Sequence, residues 1–207
     1  MCERYKTHYP NHRIYWDLIA AELQLFGGNT VVNMFRGTGV LYKEILINVC
    51  GKLKVNFNKD SSTPIIEMHL LNKILTDSVE RMNAEQLEEV AKELNLPLSH
   101  IINLSKDAVL IALQAAIKSG GFLFYRLAAV VANNMAKFIL KRGLSFGANQ
   151  ALTKGLSVFA GPVGWVITGI WTLYDISGAA YRVIIPAVIY VSYMRAKMNN
   201  QKQGLAV

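Results

Sequence analysis

The sequence predicts an all-α fold, a multi-helix bundle with an apolar C-terminal helical hairpin. Apolar residues recur at spacings of three and four through most of the chain, and no run alternates with the period of two that marks a half-buried strand. Helix starts and stops are signalled by capping residues, Pro and paired Gly. Of the 207 residues, 52% are hydrophobic and only 17% charged, which supplies apolar matter for a sizeable core.

The elements follow in order. MCERYKTHYPNHR is polar, reads as a solvated tail and has no apolar run of a secretion signal, so residence in the cytoplasm is expected. Asn11 is placed to cap a helix with Ile14, Leu18, Ala21 and Leu25 on one face, which Gly27-Gly28 stops. A short helical piece over 29–36 leads into a turn bracketed by Gly37 and Gly39. Leu41, Ile45, Leu46 and Val49 then return to helical spacing. NFNKDSSTP is a loop, and Pro64 fits the first position of a helix behind Ser/Thr oxygens. That helix runs through Ile66, Leu70 and Ile74 toward Met82. Asn83 with Gln86 forms a capping box for AEQLEEVAKEL, whose apolar row is Leu87, Val90, Ala91 and Leu94.

The character changes near residue 107. Residues 1–106 form a polar amphipathic-helical subdomain, and residues 107–207 a basic, apolar one. From 108 onward there are ten bases and one acid, Asp175, a net charge of +9 within a chain of net +8. Gly120-Gly121 separates two helices there. Residues 156–174 carry no charge, and 19 residues at 1.5 Å each approach the thickness of a bilayer's hydrocarbon. Ala160, Gly164, Thr168 and Thr172 make one face small, which permits close helix approach in lipid. The segment 156–194 therefore reads as a hairpin that is either buried core or able to enter a membrane. Pro186 breaks or bends its second arm, and Asp175 and Arg182 lie at its tip as a buried pair or as insertion and recognition residues.

Catalytic motifs are missing. GGNT and RGTG complete neither a P-loop nor a dinucleotide fingerprint. No nucleophile elbow occurs. His8, His12 and Cys2 do not build a metal cluster, and Cys50 on an apolar helix reads as a small core residue. No catalytic, metal-binding or cofactor-binding residue is expected, and no cofactor.

Two stretches carry a family resemblance. HYPNHRIYWDLIAAELQLFGGNTVVNMFRGTGVLYKEILINVCGKLKV and SGAAYRVIIPAVIYVSYMR resemble the two ends of the bacterial YaaW-like proteins. The matching positions include Trp16, Glu22, Phe26, Gly27, Gly28, Arg36, Gly37, Gly39 and Tyr42 at the front. At the back they include Gly178, Ala180, Tyr181, Arg182, Val183, Ile185, Pro186 and Val188. Between 96 and 155 the likeness is loose. In other members the resemblance implies a further helical segment ahead of the Trp16 region. The front half is also grouped with ubiquinol–cytochrome c chaperone-like proteins, which assist assembly of a membrane complex. The resemblance thus implies helices and an assembly role, but no chemistry.

Two functional expectations result. Charge and hydropathy point to a non-enzymatic, membrane-associating protein, a membrane-perturbing or pore-forming stress or defence effector on the cytoplasmic side of the inner membrane. It would be drawn to anionic lipid and insert 156–194. Nucleic acid would account for the charge but not for the hydrophobicity. The contact candidates are Trp165, Trp171, Asp175, Tyr181, Arg182, Lys141, Arg142 and Arg195, with Trp16, Gly27, Gly28, Arg36, Gly178 and Pro186 as structural positions. The alternative is an assembly chaperone or protein-interaction module for membrane proteins, with a protein partner or self-association.

Overall fold

Local chemistry sets most of the helix boundaries. In a computed structural model, described over residues 3–27, 40–93, 105–119, 121–140 and 179–202, every regular element is helical. In chain order these are α1 (Glu3–His8), a 3-10 turn (His12–Ile14), α2 (Trp16–Gly27), α3 (Tyr42–Lys52) and α4 (Thr63–Val79). Then come α5 (Ala84–Glu93), α6 (Lys106–Ser119), α7 (Gly121–Leu140) and α8 (Ala179–Lys202).

The capping box is present: the Gln86 amide donates to Asn83 Oδ1 at 2.9 Å, and the Asn83 amide donates to Gln86 Oε1 at 3.0 Å. Pro64 sits in the first turn of α4 behind Ser62, although Ser62 makes no side-chain capping bond. That helix ends at Val79, short of Met82, which is itself buried. Helix α3 closes in a Schellman motif: Lys54 adopts φ 54°, the Val55 amide bonds the Cys50 carbonyl at 2.8 Å, and the Lys54 amide bonds that of Gly51 at 3.1 Å. Between α6 and α7 the chain turns through 113°, and Gly121 takes φ 68° there, a region open to glycine.

The front of the chain departs from the sequence reading. Residues 3–8 are helical rather than a plain tail, and Tyr5, Tyr9, His12 and Tyr15 cluster with ring centroids 5.3–5.7 Å apart, tilted between Tyr5 and Tyr9 and edge to face elsewhere, with Tyr15 buried. Asn11 caps no α-helix, because the 3-10 turn and Tyr15 intervene and α2 begins at Trp16. The helix phase counted from Asn11 is therefore lost. Ile14 and Leu25 are exposed, and Leu23, not that row, packs against the core. Leu41 precedes α3 as its cap and is exposed, while Ile45, Leu46, Val49 and Cys50 are buried.

One core joins the front helices to α6, α7 and α8. Helix α7 is buried at every position from Leu127 to Met135, with Ala128, Ala129 and Ala132 allowing close approach. Its main neighbour is α8, against which Tyr125 stacks on Tyr193 at 5.7 Å. Helix α8 also touches α2, α3 and α4, so it is the element around which the others gather. Pro186 lies inside α8 without ending it, so of the expected break or bend the break does not occur. The Ile184–Ile185 and Val188–Ile189 packing on either side holds the helix together across the missing hydrogen bond. The charge boundary near 107 falls at the start of α6, but the core runs across it.

Residues 156–178 of the expected hairpin lie outside the described residues; 179–194 belong to α8, whose inner face is core. Among the described residues no single helix is long and apolar enough to cross a membrane. The α6–α7 pair has the length and composition only across its 113° bend.

At Gly27 the end of α2 crosses α3. A Cβ there would stand 2.4 Å from Ile45 Cγ1 and 2.6 Å from Cδ1, and Ile45 is fully buried. Gly27→Ala is expected to cost about 1–3 kcal/mol in thermal unfolding, and adding Ile45→Val, which removes Cδ1, recovers part of it. Lys54→Gly relieves a left-handed backbone and is expected to raise stability by about 0.5–1 kcal/mol in the same assay.

Candidate functional site

Glu67 occupies the apolar face of α4, in the row with Leu70, Leu71 and Ile74, and is 2% exposed. A carboxylate in such a place is costly without partners. It has two, from two other helices. The Tyr42 hydroxyl of α3 donates to Oε1 at 2.8 Å, and Arg195 Nε of α8 donates to Oε2 at 2.8 Å. Arg195 reaches from a half-exposed position, its side chain 38% accessible against 3% for Glu67. The Ser192 hydroxyl, also buried, donates to the Val188 carbonyl at 2.9 Å, and Tyr42 Oη lies 3.5 Å from the same carbonyl.

Burial raises the Glu67 pKa above the usual carboxylate range, while the Tyr42 hydrogen bond and the Arg195 charge pull it back. Burial and the Glu67 charge push the Tyr42 phenol up, so it remains a donor. The Cys50 thiol, fully buried, is pushed up to about 12 by burial and then by Glu67. It is a neutral core group at physiological pH, not a nucleophile.

Beside the pair lies a cavity of about 140 Å³, lined by Glu67, Ser192, Arg195, Phe124 and Lys118 among others. Among the described residues no group of three or more His, Cys, Asp or Glu gathers to hold a metal ion. Its chemistry is that of a structural clamp with room for a few waters.

The outward surfaces are more informative. Helix α2 buries no residue completely, and Trp16, Ile19, Leu25 and Phe26 are exposed beside the acids Asp17 and Glu22. Ile19, Glu22 and Phe26 are one helical turn apart on one side. Asp17 is held by Arg4 at 3.0 Å, and that hydrogen bond keeps its carboxyl below the ordinary value. Helix α8 also shows an exposed apolar row: Val183, Tyr190, Met194 and Met198.

The sequence-predicted residues divide unevenly. Trp16 opens α2 and is exposed, Gly27 ends it at the crossing with Ile45, and Pro186 sits within α8. Arg182 is exposed on α8, and Tyr181 is half-buried with Lys52 over its ring at 5.1 Å. Arg195 is brought to Glu67. Lys141, Arg142, Trp165, Trp171, Asp175, Gly28, Arg36 and Gly178 lie outside the described residues. Sequence reasoning missed Glu67 and gave Tyr42 only as a position of the family resemblance. An acid inside the apolar row of α4 was the available signal for Glu67.

The clamp gives a pH-dependent prediction. A carboxyl raised on folding contributes stability below its unfolded pKa and loses it as pH rises through the folded one. Removing Arg195 removes an influence that lowers that folded pKa. Arg195→Met should therefore unfold like the parent near pH ~4 and lose about 3 kcal/mol relative to it by pH ~8, read by denaturant titration at both pH values. Glu67→Gln keeps an acceptor for Tyr42, frees Arg195 toward water and costs only about 1 kcal/mol, with little pH dependence.

Comparison with known proteins assigns the family. The model of the ubiquinol–cytochrome C chaperone family matches residues 11–188. A UPF0174 protein of Helicobacter pylori (strain J99 / ATCC 700824) is 48% identical over 206 residues, covering 98% of this chain and 81% of the relative. A second UPF0174 protein of that strain is 39% identical over 196 residues, 94% of each chain. The UPF0174 protein YaaW of Escherichia coli (strain K12) is 33% identical over 192 residues, 91% of this chain and 74% of the relative. No solved structure matches. The chain thus belongs to the ubiquinol–cytochrome C chaperone family, among relatives that include YaaW.

Proposed function

We propose that this chain is a non-enzymatic assembly chaperone, an interaction module that shields apolar segments of a membrane-protein client before they are built into the bilayer. The family match across residues 11–188 carries this reading. The exposed face of α2 supports it and supplies a surface. Ile19, Leu25 and Phe26 stand in solvent around Glu22, on a helix with two acids and no base. Membrane-protein segments that remain on the cytoplasmic side are flanked by Lys and Arg. An apolar patch around a carboxylate complements such a segment in both hydropathy and charge.

A pore-forming or membrane-perturbing effector would act through the 156–194 hairpin, of which 156–178 lie outside the described residues and 179–194 belong to α8, whose inner face is core. The compositional division at 106/107 is proposed to separate two surfaces. We place the client-binding face in the near-neutral front half and the basic surface in the back half.

A test uses a membrane protein synthesised in a cell-free extract without lipid or detergent. Added chaperone should keep the product in the supernatant after centrifugation. Ile19→Asp with Phe26→Asp, at two exposed positions, should leave unfolding within about 0.5 kcal/mol of the parent and weaken protection roughly tenfold. Protection by the double variant equal to the parent's would reject α2 as the client face, and no protection by the parent would reject the chaperone reading.

A further inference from the structure

An amphipathic helix of a soluble core is apolar on one side and polar on the other. Helix α8 does not follow that rule. Ile184, Ile185, Val188, Ile189, Ser192, Tyr193 and Ala196 point into the core. At 100° per residue, Val183, Tyr190, Met194 and Met198 fall on the opposite side, and they are 42%, 44%, 40% and 56% exposed. They form a row about 22 Å long, parallel to the helix axis. Lys197 lies within this row, and Arg182 and Lys202 flank it; all three are exposed, and α8 contains no acid.

We infer that this outward face of α8 docks flat on an anionic membrane surface. Val183, Tyr190, Met194 and Met198 would enter the headgroup boundary while the bases meet lipid phosphates. Three observations select this occupant. The charge is of one sign along the whole helix, which opposes a second copy of the same face and favours an anionic surface. Tyr190 with Lys197, Arg182 and Lys202 around it supplies an aromatic ring and bases, residue types that settle at a membrane–water boundary. The cavity adjoining α8 is lined by Ser192, Arg195, Ala196 and Asn200, which belong to its inward and lateral sides, so it does not serve as a groove for a partner helix on the outward face. Docking needs neither insertion of a hairpin nor the client face on α2, and so does not depend on the chaperone reading.

Flotation of the full chain with vesicles tests the inference. Vesicles of phosphatidylcholine alone are compared with equal mixtures of phosphatidylcholine and phosphatidylglycerol. The protein should float with the mixed vesicles, less so as salt rises, and stay at the bottom with the neutral ones. Met194→Gln with Met198→Gln should lower binding about tenfold. Lys197→Gln should lower it about fivefold, the worth of one base near an anionic surface. These positions are exposed, and thermal unfolding and the supernatant assay check that each variant is folded. Absence of flotation with anionic vesicles overturns the inference. So does flotation that both sets of variants leave unchanged, because the lipid contact would then lie elsewhere in the chain. A parent that sediments as a dimer and is made monomeric by Met194→Gln with Met198→Gln would overturn it in favour of a second copy on this face.

Discussion

One buried carboxylate ties three helices together. Glu67 is held at 2.8 Å by donors from two other helices, and those helices are far apart in sequence. The reason such an expensive group is useful lies in α8. A helix with apolar residues on its outer as well as its inner side has its rotation less sharply set by hydrophobic packing alone. A single charge pair resolves that degeneracy. With Arg195 bound to Glu67, the Ile185–Val188–Ser192 side is committed to the core and the Val183–Tyr190–Met194 side to the outside. Specifying a register is the best-attested use of a buried polar pair, and its energetic yield is secondary.

The rest of the core is arranged around this choice. Tyr42 brings α3 to the same carboxylate, and Tyr193, one residue beyond Ser192, stacks on Tyr125 of α7. Burial and the neighbouring Tyr125 push the Tyr193 phenol up, so this hydroxyl too stays neutral in the core. The polar atoms near α8 therefore act as orienting bonds, and the mass of the packing comes from Ala-rich α7 and from the aliphatic rows of α3 and α4.

What was legible in the sequence was local. The Asn83–Gln86 box, Pro64 at the start of α4 and the Gly120-Gly121 break all act over four residues or fewer, and each marks a boundary found in the fold. The face of α2 was not legible, because WDLIAAELQLF has apolar residues on more than one side and its phase depends on where the helix begins. Tyr15 and the 3-10 turn move that beginning to Trp16. Arg195 could be read as a base flanking an apolar run, but its partner lies 128 residues away, and nothing in the chain's periodicity pairs them. Glu67 was visible as an acid among leucines. Only the third dimension explains it.

The apolar residues of α8 are divided between two environments. Its inner side is accounted for by packing, and its outer side is left in solvent. Helix α2 packs against α8 and has the same surplus, but its outward charges are acidic where those of α8 are basic. On the proposed reading this difference in sign separates the tasks of neighbouring helices. The basic face rests on anionic lipid, and the acidic face is repelled from it and remains open to a client with basic flanks. The orientation of the protein at the bilayer would then follow from the clamp at Glu67, because that clamp decides which side of α8 is outside.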